Sequence, residues 1–505
     1  MPAEINRENG PGKRMIPKSM SSTPIGEWEP VFGKSSCPSE SRALAARGPA
    51  CNKHRHHPGS LEFVLPLIRP FRALRPAPGR AAEVLSPPYD VLSSAEARAR
   101  AEGKPWSFLH ISKPEIDLDP ATDPYDKAVY AKAADNLKRM VEAGVLIRDA
   151  KPCYYVYRLT WRGHSQTGLA AAASLADYAS NRIRKHELTT PVKEDDRVRQ
   201  IEAVNAQTGP VMIAYPNAPE IDALLAQAAS AKPEVDVTAD DGVRHQLWVV
   251  ADAAAIDAFT RAFDALPAIY IADGHHRSAA AARVAARFQA EWEPVSRPES
   301  APLNMGARSD AKPESTFAER APARNGDGSH AYFLSVIFPA REMTILDYNR
   351  VLKDLNGRSA EQLLAELRKS FAVSASDQPV RPASSHEVGM FLAGRWYRLT
   401  IRPELVPSDP IGRLPITLLT RNVIEPLFGI KDPRTDKRID FIGGARGLAE
   451  LERRVKSGEM AVAFALYPTR MADLMAVADA GGSMPPKSTW FEPKLADGMV
   501  SHVLD

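Results

Sequence analysis

Apolar positions along the chain recur with the periods of both helices and strands. Over residues 126–143 they return every three or four positions, which predicts an amphipathic helix. Residues 153–175 predict a β-hairpin that turns near Arg162 and Gly163, and an apolar run at Val211–Tyr215 predicts a further strand. Because helices and strands alternate in this way, the pattern predicts an α+β (mixed α/β) fold.

Two polar segments interrupt the pattern and divide the chain. Residues 1–60 are rich in Pro, Ser, Gly and Arg, and they carry too little apolar surface to offset the entropy of ordering, so we predict a disordered extension. Its histidines at 54, 56 and 57 are interpreted as part of a solvated tail rather than as a metal site. Residues 291–331 predict a disordered insertion. The remaining segments predict a mixed domain over 61–290 and a C-terminal α+β domain over 332–505.

Composition narrows the class of protein. A net charge of +3 on 505 residues does not predict a nucleic-acid partner. No apolar run reaches the roughly 18 residues of a membrane span, so we expect no membrane partner. Three cysteines without metal-ligand or disulfide spacing favour a reducing compartment, and we expect a cytoplasmic protein that acts on a small molecule.

The stretch "IYIADGHHRSAAA", residues 269–281, predicts a strand, a sharp turn and a helix. The start of a helix offers backbone N–H groups and partial positive charge to an anion. Gly274 allows close backbone approach, and His275, His276 and Arg277 add hydrogen-bond donors. The stretch therefore predicts a phosphate-binding turn.

Asp273 does not fit a simple phosphate site, because its carboxylate repels the anion. Its presence is explained if Mg²⁺ or a proton to be transferred lies between the two. The alternative is that Asp273 caps the helix and that the histidines are surface residues. Two adjacent histidines in a tight turn rarely bind one metal ion, so no metal ligands are predicted.

Two further segments carry candidate binding residues. "KHELTTPVKEDDRVRQ" contains Glu187, Lys193 and Arg197, although a solvated charged surface is an alternative interpretation. "MPPKSTWFEPKL" supplies Lys487, Ser488 and Thr489. It lacks the glycines of a Walker phosphate loop, and a proline-stiffened closing segment is its alternative interpretation.

Taken together, "PFRALRP", "LSPPYDVLS", "KHELTTPVKEDDR", "IADGHHR" and "MPPKSTWFEPKL" resemble the motifs of the family known as domain of unknown function 1015. The resemblance covers about residues 61–290 and 332–505. The "DGHHR" element is also similar to the turn that holds nucleotide phosphates in the ParB/sulfiredoxin-like superfamily. This resemblance implies a ParB/sulfiredoxin-like nucleotide-binding domain over residues 61–290.

The resemblance also implies roles for individual residues. Gly274, His275, His276 and Arg277 match the phosphate-binding turn, and Asp273 matches an acid near the reacting hydroxyl in the free-serine-kinase branch. A histidine replaces the cysteine of sulfiredoxins, which argues against sulfinic-acid repair. The ParB glutamate after the glycine and a helix-turn-helix are not evident in the sequence.

The sequence thus favours a nucleotide-dependent phosphotransferase that acts on a small hydroxyl compound such as free serine. ATP or ADP with Mg²⁺ would be its cofactor. Asp273 would be the catalytic base or a metal ligand, and Glu187 is a second candidate for the base. Lys193, Arg197 and the segment at 487–489 would assist with phosphate binding. Two alternatives stay open, namely a non-catalytic nucleotide-binding regulator of ParB type and a purely structural role for the turn.

Overall fold

Apolar runs form the strands of four β-sheets in the computed structural model, which describes the backbone of residues 66–292 and 328–504 and their side chains except those of 289–292. The predicted extension at 1–60 and most of the predicted insertion at 291–331 lie outside the described residues. Of the insertion, residues 291–292 belong to a helix, and Ser329–Ala331 form a 3-10 turn.

The strands among the described residues are β1 (Ile68–Arg69), β2 (Ala73–Pro76), β3 (Leu146–Arg148), β4 (Tyr154–Trp161), β5 (His164–Ser174), β6 (Ile183–Arg184), β7 (Ala206–Gln207), β8 (Val211–Tyr215), β9 (Val235–Thr238), β10 (Arg244–Val250), β11 (Ile269–Asp273), β12 (Tyr332–Pro339), β13 (Thr344–Leu346), β14 (Tyr348–Leu352), β15 (Phe371–Ser376), β16 (Glu387–Leu392), β17 (Arg395–Ile401), β18 (Ile439–Gly443), β19 (Val462–Leu466), β20 (Trp490–Glu492) and β21 (Ser501–Val503).

The α-helices in the same part of the chain are α1 (Ala81–Val84), α2 (Ser94–Ala101), α3 (Leu109–Ser112), α4 (Lys127–Glu142), α5 (Leu175–Ala179), α6 (Pro191–Val204), α7 (Pro219–Ala228), α8 (Ala253–Asp264), α9 (His275–Trp292), α10 (Ala360–Leu367), α11 (Pro415–Leu419), α12 (Glu425–Phe428), α13 (Gly447–Lys456) and α14 (Met471–Asp479). None of the described helices is both long enough and apolar enough to cross a membrane.

The largest sheet has the strand order β6-β11-β8-β12-β5-β4-β10-β9, and β1 pairs with β5 beside this order. Its central strands are apolar on both sides because both faces of the sheet are covered. In β5, Ala170 and Ala172 belong to one apolar cluster, whereas Leu169, Ala171 and Ala173 belong to another. The continuous apolar sequence of β5 therefore follows from its central place.

Three smaller sheets complete the described strands. A six-stranded antiparallel sheet has the order β15-β17-β16-β19-β14-β18, and a four-stranded antiparallel sheet has the order β3-β2-β21-β7. The pair β13 and β20 forms the fourth sheet. The mixture of helices and sheets confirms the predicted α+β class.

Several predicted elements are confirmed at their predicted positions. The hairpin is β4 and β5, and the helix predicted over 126–143 is α4. The strand at Val211–Tyr215 is β8. The division into domains at 61–290 and 332–505 stays a prediction; β12, the first strand after the insertion, pairs with β5 and β8 in the largest sheet.

The edge of the largest sheet positions the candidate site. Strands β6 and β11 are parallel neighbours, so both carboxyl ends lie at the same edge. The chain leaves β6 for α6 and leaves β11 for α9. These two helices pack against each other through Val198 and Ile201 of α6 and Ala280 and Val284 of α9. The residues that follow β6 and β11 are thereby brought together.

Candidate functional site

A cleft of about 280 Å³ opens at the carboxyl ends of β6 and β11. It is lined by four segments that are far apart in sequence, at 89–91, 186–193, 273–277 and 484–494, together with Tyr348. From the set of residues predicted by sequence it brings together Glu187, Lys193, Asp273, Gly274, His275, His276, Arg277, Lys487, Ser488 and Thr489.

The turn between β11 and α9 requires glycine at its centre. Gly274 has φ +97°, a backbone conformation that side chains with a Cβ rarely adopt. A Cβ there would lie 3.1 Å from Nε of Arg277 and 3.3 Å from the Cα of Val211. The backbone N–H groups of Arg277 and Ser278 donate to the carbonyl of Gly274 over 2.9 and 3.1 Å. Gly274 therefore occupies the N-cap position of α9, and the start of that helix faces the cleft.

Asp273 pairs with two cations. Its Oδ2 lies 3.4 Å from Nζ of Lys494 and 3.5 Å from Nη2 of Arg277. Burial raises the pKa of Asp273, but Lys494 and then Arg277 outweigh burial and hold this pKa well below its ordinary value. The carboxylate stays ionised at neutral pH and acts as the counter-ion that orients both cations.

Arg277 is held from three sides and keeps its charge. Its guanidinium donates to the carbonyl of Pro210 and lies 3.8 Å from the carboxylate of Asp90. Burial lowers the pKa of Arg277, but Asp90 and then Asp273 raise it above its ordinary value. A fixed, charged, planar guanidinium beside the start of a helix is suited to bind two oxygens of an anion such as a phosphate.

Glu187 differs from Asp273 in its surroundings. Its side chain is 47% exposed, and its carboxylate lies 3.6 Å from Nδ1 of His275. Desolvation in the cleft and then the negative charge of Asp273 raise the pKa of Glu187. A carboxylate that is accessible and has a raised pKa is the better of the two predicted acids for accepting a proton near neutral pH.

The two histidines of the turn brace it against the segment after β6. His275 is buried, and its Nε2 accepts a hydrogen bond from the backbone N–H of His186 over 3.4 Å. Burial and then His186 lower the pKa of His275 far below its ordinary value, so the ring is neutral. Nε2 of His276 accepts from the backbone N–H of Thr190 over 3.1 Å, at the N-cap of α6.

The segment that ends in β20 closes the third side of the cleft. The backbone N–H of Met484 donates to the carbonyl of His186 over 2.7 Å, which ties this segment to the one after β6. Lys487 is exposed and has φ +57°, and its ammonium lies 5.8 Å from the ring centroid of Tyr348. The Ser488 hydroxyl donates to the carbonyl of Pro485, and Thr489 lines the cleft beside it.

Arg197 is the predicted site residue that does not line the cleft. It donates to Asp196 over 2.6 and 2.8 Å, and its guanidinium stacks 3.9 Å from the ring centroid of Tyr89. It borders two other cavities, whose walls include cleft residues such as Tyr89 and Arg277. Arg197 therefore adjoins the site through the Tyr89 ring and through these shared cavity walls.

The lining residues that the sequence interpretation did not single out include Tyr89, Asp90 and Lys494. All three lie in the family-like stretches "LSPPYDVLS" and "MPPKSTWFEPKL". Asp90 follows two prolines and Lys494 follows one proline, and neither forms a spacing with other polar residues that indicates chemistry. The presence of these residues inside a shared motif set was the signal that could have singled them out.

Metal binding can be judged from the side chains present. Within residues 66–292 and 328–504, no group of three or more His, Cys, Asp or Glu side chains could hold a metal ion. Mg²⁺ bound together with a nucleotide needs only one or two carboxylates, because phosphate oxygens and water complete its octahedron. The Asp90 carboxylate, 42% exposed and lining the cleft, fits this smaller requirement.

Comparison with known proteins identifies one family. The family described as "Protein of unknown function (DUF1015)" matches residues 68–417. A search of curated proteins found no match. Among solved structures, a free serine kinase in complex with AMP has a TM-score of 0.29 at 10% identity, covering 62% of this chain and 84% of that one.

Two further solved structures give similar values. A conserved hypothetical protein from Pyrococcus furiosus has a TM-score of 0.29 at 12% identity, with 63% of this chain and 91% of that one covered. SbnI with a C-terminal truncation, from Staphylococcus aureus, has a TM-score of 0.30 at 11% identity, with 66% and 86% covered. Likenesses this weak carry no weight for the fold or the function of this chain.

Proposed function

We propose a nucleotide-dependent phosphotransferase activity for this chain, which belongs to the DUF1015 family. The nucleotide would bind through its phosphates in the cleft, and a small hydroxyl compound would accept the phosphoryl group. One observation carries the proposal. Four cations from three separate segments converge at the start of α9, namely Lys193, Arg277, Lys487 and Lys494.

The cations fall into two pairs with different surroundings. Arg277 and Lys494 share Asp273 as counter-ion and are largely buried, with side chains 10% and 21% exposed. Lys193 and Lys487 are exposed at the rim. An inner pair of fixed position suits the orientation of a phosphate, and an outer pair suits its capture from solution. The similarity of the "DGHHR" turn to that of the ParB/sulfiredoxin-like superfamily supports the same assignment.

Glu187 is the proposed proton acceptor. The acceptor hydroxyl would give its proton to the Glu187 carboxylate while its oxygen forms a bond to phosphorus. The bond between phosphorus and the leaving nucleotide oxygen would break, and Arg277 with Lys494 would stabilise the charge on that oxygen. Asp273 orients these cations and is not the base, because its pKa is held too low. Mg²⁺, held by Asp90 and phosphate oxygens, would neutralise phosphate charge.

One observation favours a second candidate, a non-catalytic nucleotide-binding regulator of ParB type. Asp273, which the sequence predicts as a catalytic residue, forms ion pairs with Arg277 and Lys494. A cleft in which this acid only balances charge would bind a nucleotide without transferring its phosphate. The two candidates differ in whether Glu187 is needed for turnover.

The first prediction tests binding and transfer separately. We expect ATP or ADP with Mg²⁺, and inorganic tripolyphosphate, to raise the melting temperature. Phosphorus NMR with a panel of free amino acids and other small alcohols should then detect a phosphorylated product. Glu187→Gln should lower kcat by about 100-fold or more, because general-base catalysis contributes about that much. It should change the nucleotide Kd by less than about threefold, since the change removes no cation.

Glu220→Gln, in the first turn of α7 and exposed, is the matched control and should behave as wild type. Absence of stabilisation by any nucleotide and by tripolyphosphate at millimolar concentration would contradict the phosphate site. Binding without transfer, unaffected by Glu187→Gln, would establish the regulator instead.

A further inference from the structure

A second cavity of about 360 Å³ lies next to the cleft. Val91, Trp490 and Lys494 line both, so the two share a wall. Val91 is an apolar side chain that is 38% exposed on this shared wall. A ligand that reaches from the cleft into the cavity would pass along this shared wall.

The charges of the second cavity differ from those of the cleft. Its acidic and basic lining residues are equal in number: Glu83, Asp240, Asp241 and Glu492 against Arg100, Lys104, Arg162 and Lys494. Some of these charges form ion pairs within the cavity wall. Nζ of Lys104, for example, lies 2.6 Å from Oδ2 of Asp240. A balanced cavity offers no net attraction to a polyanion, whereas it accommodates an uncharged polar group.

Aromatic and aliphatic side chains supply the remaining wall. Trp161, Trp490 and Val237 are half-buried and line the cavity. The Trp490 ring is fixed, because its Nε1 donates to Glu492 over 2.8 Å and its edge packs on Tyr348 at 5.2 Å between centroids. A fixed indole surface is suited to stack on a flat heterocycle.

We propose that the second cavity binds the nucleoside of the nucleotide whose phosphates occupy the cleft. This inference rests on the proposed function. The volume of about 360 Å³ lies within the range of roughly 300–1,000 Å³ that holds ligands of this class. Free serine is much smaller and would leave most of the cavity empty. Trp490 and Lys494 then lie where the nucleoside meets its first phosphate.

The second prediction compares ATP with inorganic tripolyphosphate, which lacks the nucleoside, by calorimetry in the presence of Mg²⁺. Wild type should bind ATP at least about tenfold more tightly than tripolyphosphate. Ala82→Trp, an exposed α1 position on the cavity wall, should lower ATP affinity to that of tripolyphosphate and leave tripolyphosphate within about twofold. Trp161→Leu removes stacking surface without filling the cavity and should shift ATP affinity in the same direction.

Ala226→Trp, exposed on α7, is the matched control and should leave both affinities unchanged. Equal affinity of wild type for ATP and tripolyphosphate would overturn the inference and leave the phosphate site standing. So would an Ala82→Trp or Trp161→Leu variant that raises the KM of the hydroxyl acceptor while keeping ATP affinity. Failure of tripolyphosphate to bind wild type would remove the proposed function and this inference together.

Discussion

The pKa values of two aspartates near Arg277 are shifted in opposite directions by their surroundings. Asp273 contacts two cations within 3.5 Å, and they hold its pKa well below the ordinary value. Asp497 is 2% exposed, and among the described residues its Oδ1 has no hydrogen-bond partner. It borders a cavity of about 30 Å³ together with Arg197, Arg277 and Tyr89. Burial raises the pKa of Asp497 to about 7, although Arg277 and Arg197 oppose the rise.

The third prediction follows from this raised pKa. Between pH 4 and 7 folded Asp497 keeps a proton that the unfolded chain has lost, so its contribution to stability falls as pH rises. Asp497→Asn mimics the protonated form. The free energy of unfolding of the variant relative to wild type should therefore rise by up to about 4 kcal/mol between pH 4 and 8, at 1.36 kcal/mol per unit of pKa.

Urea unfolding at several pH values would measure this difference. The difference between variant and wild type is needed because burial lowers the pKa of His186 to about 4 and that of His275 far below its ordinary value. Both groups therefore add stability as pH rises toward the ordinary histidine pKa of about 6.5. A difference that is independent of pH would show that Asp497 is ionised in the folded protein.

Among the elements of the site, the strand, turn and helix at 269–281 could be predicted from sequence, because their signals are local. The structure confirms β11 and α9 with Gly274 between them. One of the two cations that pair with Asp273, Lys494, could not be predicted in the same way. Lys494 lies 221 positions away, and no local pattern encodes that contact. The alternative that Asp273 caps the helix was also open in the sequence, because aspartate is a favoured N-cap residue. In the structure, Gly274 takes the N-cap position.

The fourth prediction concerns the turn itself. Gly274→Ala should destabilise the protein by about 2 kcal/mol or more, because it combines strain at positive φ with crowding against Arg277 and the backbone of Val211. It should also weaken tripolyphosphate binding about tenfold, since Arg277 must shift. Thermal unfolding and calorimetry would measure both.

Gly394→Ala is the control for backbone strain alone. Gly394 has φ +79° and lies in the turn between β16 and β17, where an added Cβ would meet no atom of the described residues within 4 Å. This variant should lose about 1–2 kcal/mol and keep its affinity for tripolyphosphate. Equal effects of the two substitutions on affinity would contradict the role given to Gly274.

At the scale of the whole molecule, the cleft depends on how distant segments meet. The sequence indicated three of its segments, around residues 187, 273 and 487, as parts of one phosphate site, but not how the fold brings them together. That convergence depends on the parallel pairing of β6 with β11 and on the bond from Met484 to His186. Tertiary packing decides which side chains of α6 face the cleft. The sequence alone therefore could not show that Arg197 lies outside the lining.

The fifth prediction is that one ligand protects all four segments together. Tripolyphosphate should slow amide hydrogen exchange at 89–91, 186–193, 273–277 and 484–494. It would contact cations from the last three segments, and the first segment contacts Arg277 through Asp90. Exchange in β16 and β17 should not change, since these strands lie in a different sheet. Protection confined to 273–277 would contradict a shared site.

The pairing of β21 has a consequence for the order of events during synthesis. Ala73 of β2 pairs with His502, and Ala206 of β7 pairs with Val503. On the ribosome, β2 and β7 emerge long before β21, which pairs with both. The four-stranded sheet therefore cannot be completed until nearly all of the described chain has been made. Lys487 and Lys494 emerge immediately before β21. The cleft is therefore among the last features of the described chain to be completed in each newly made molecule.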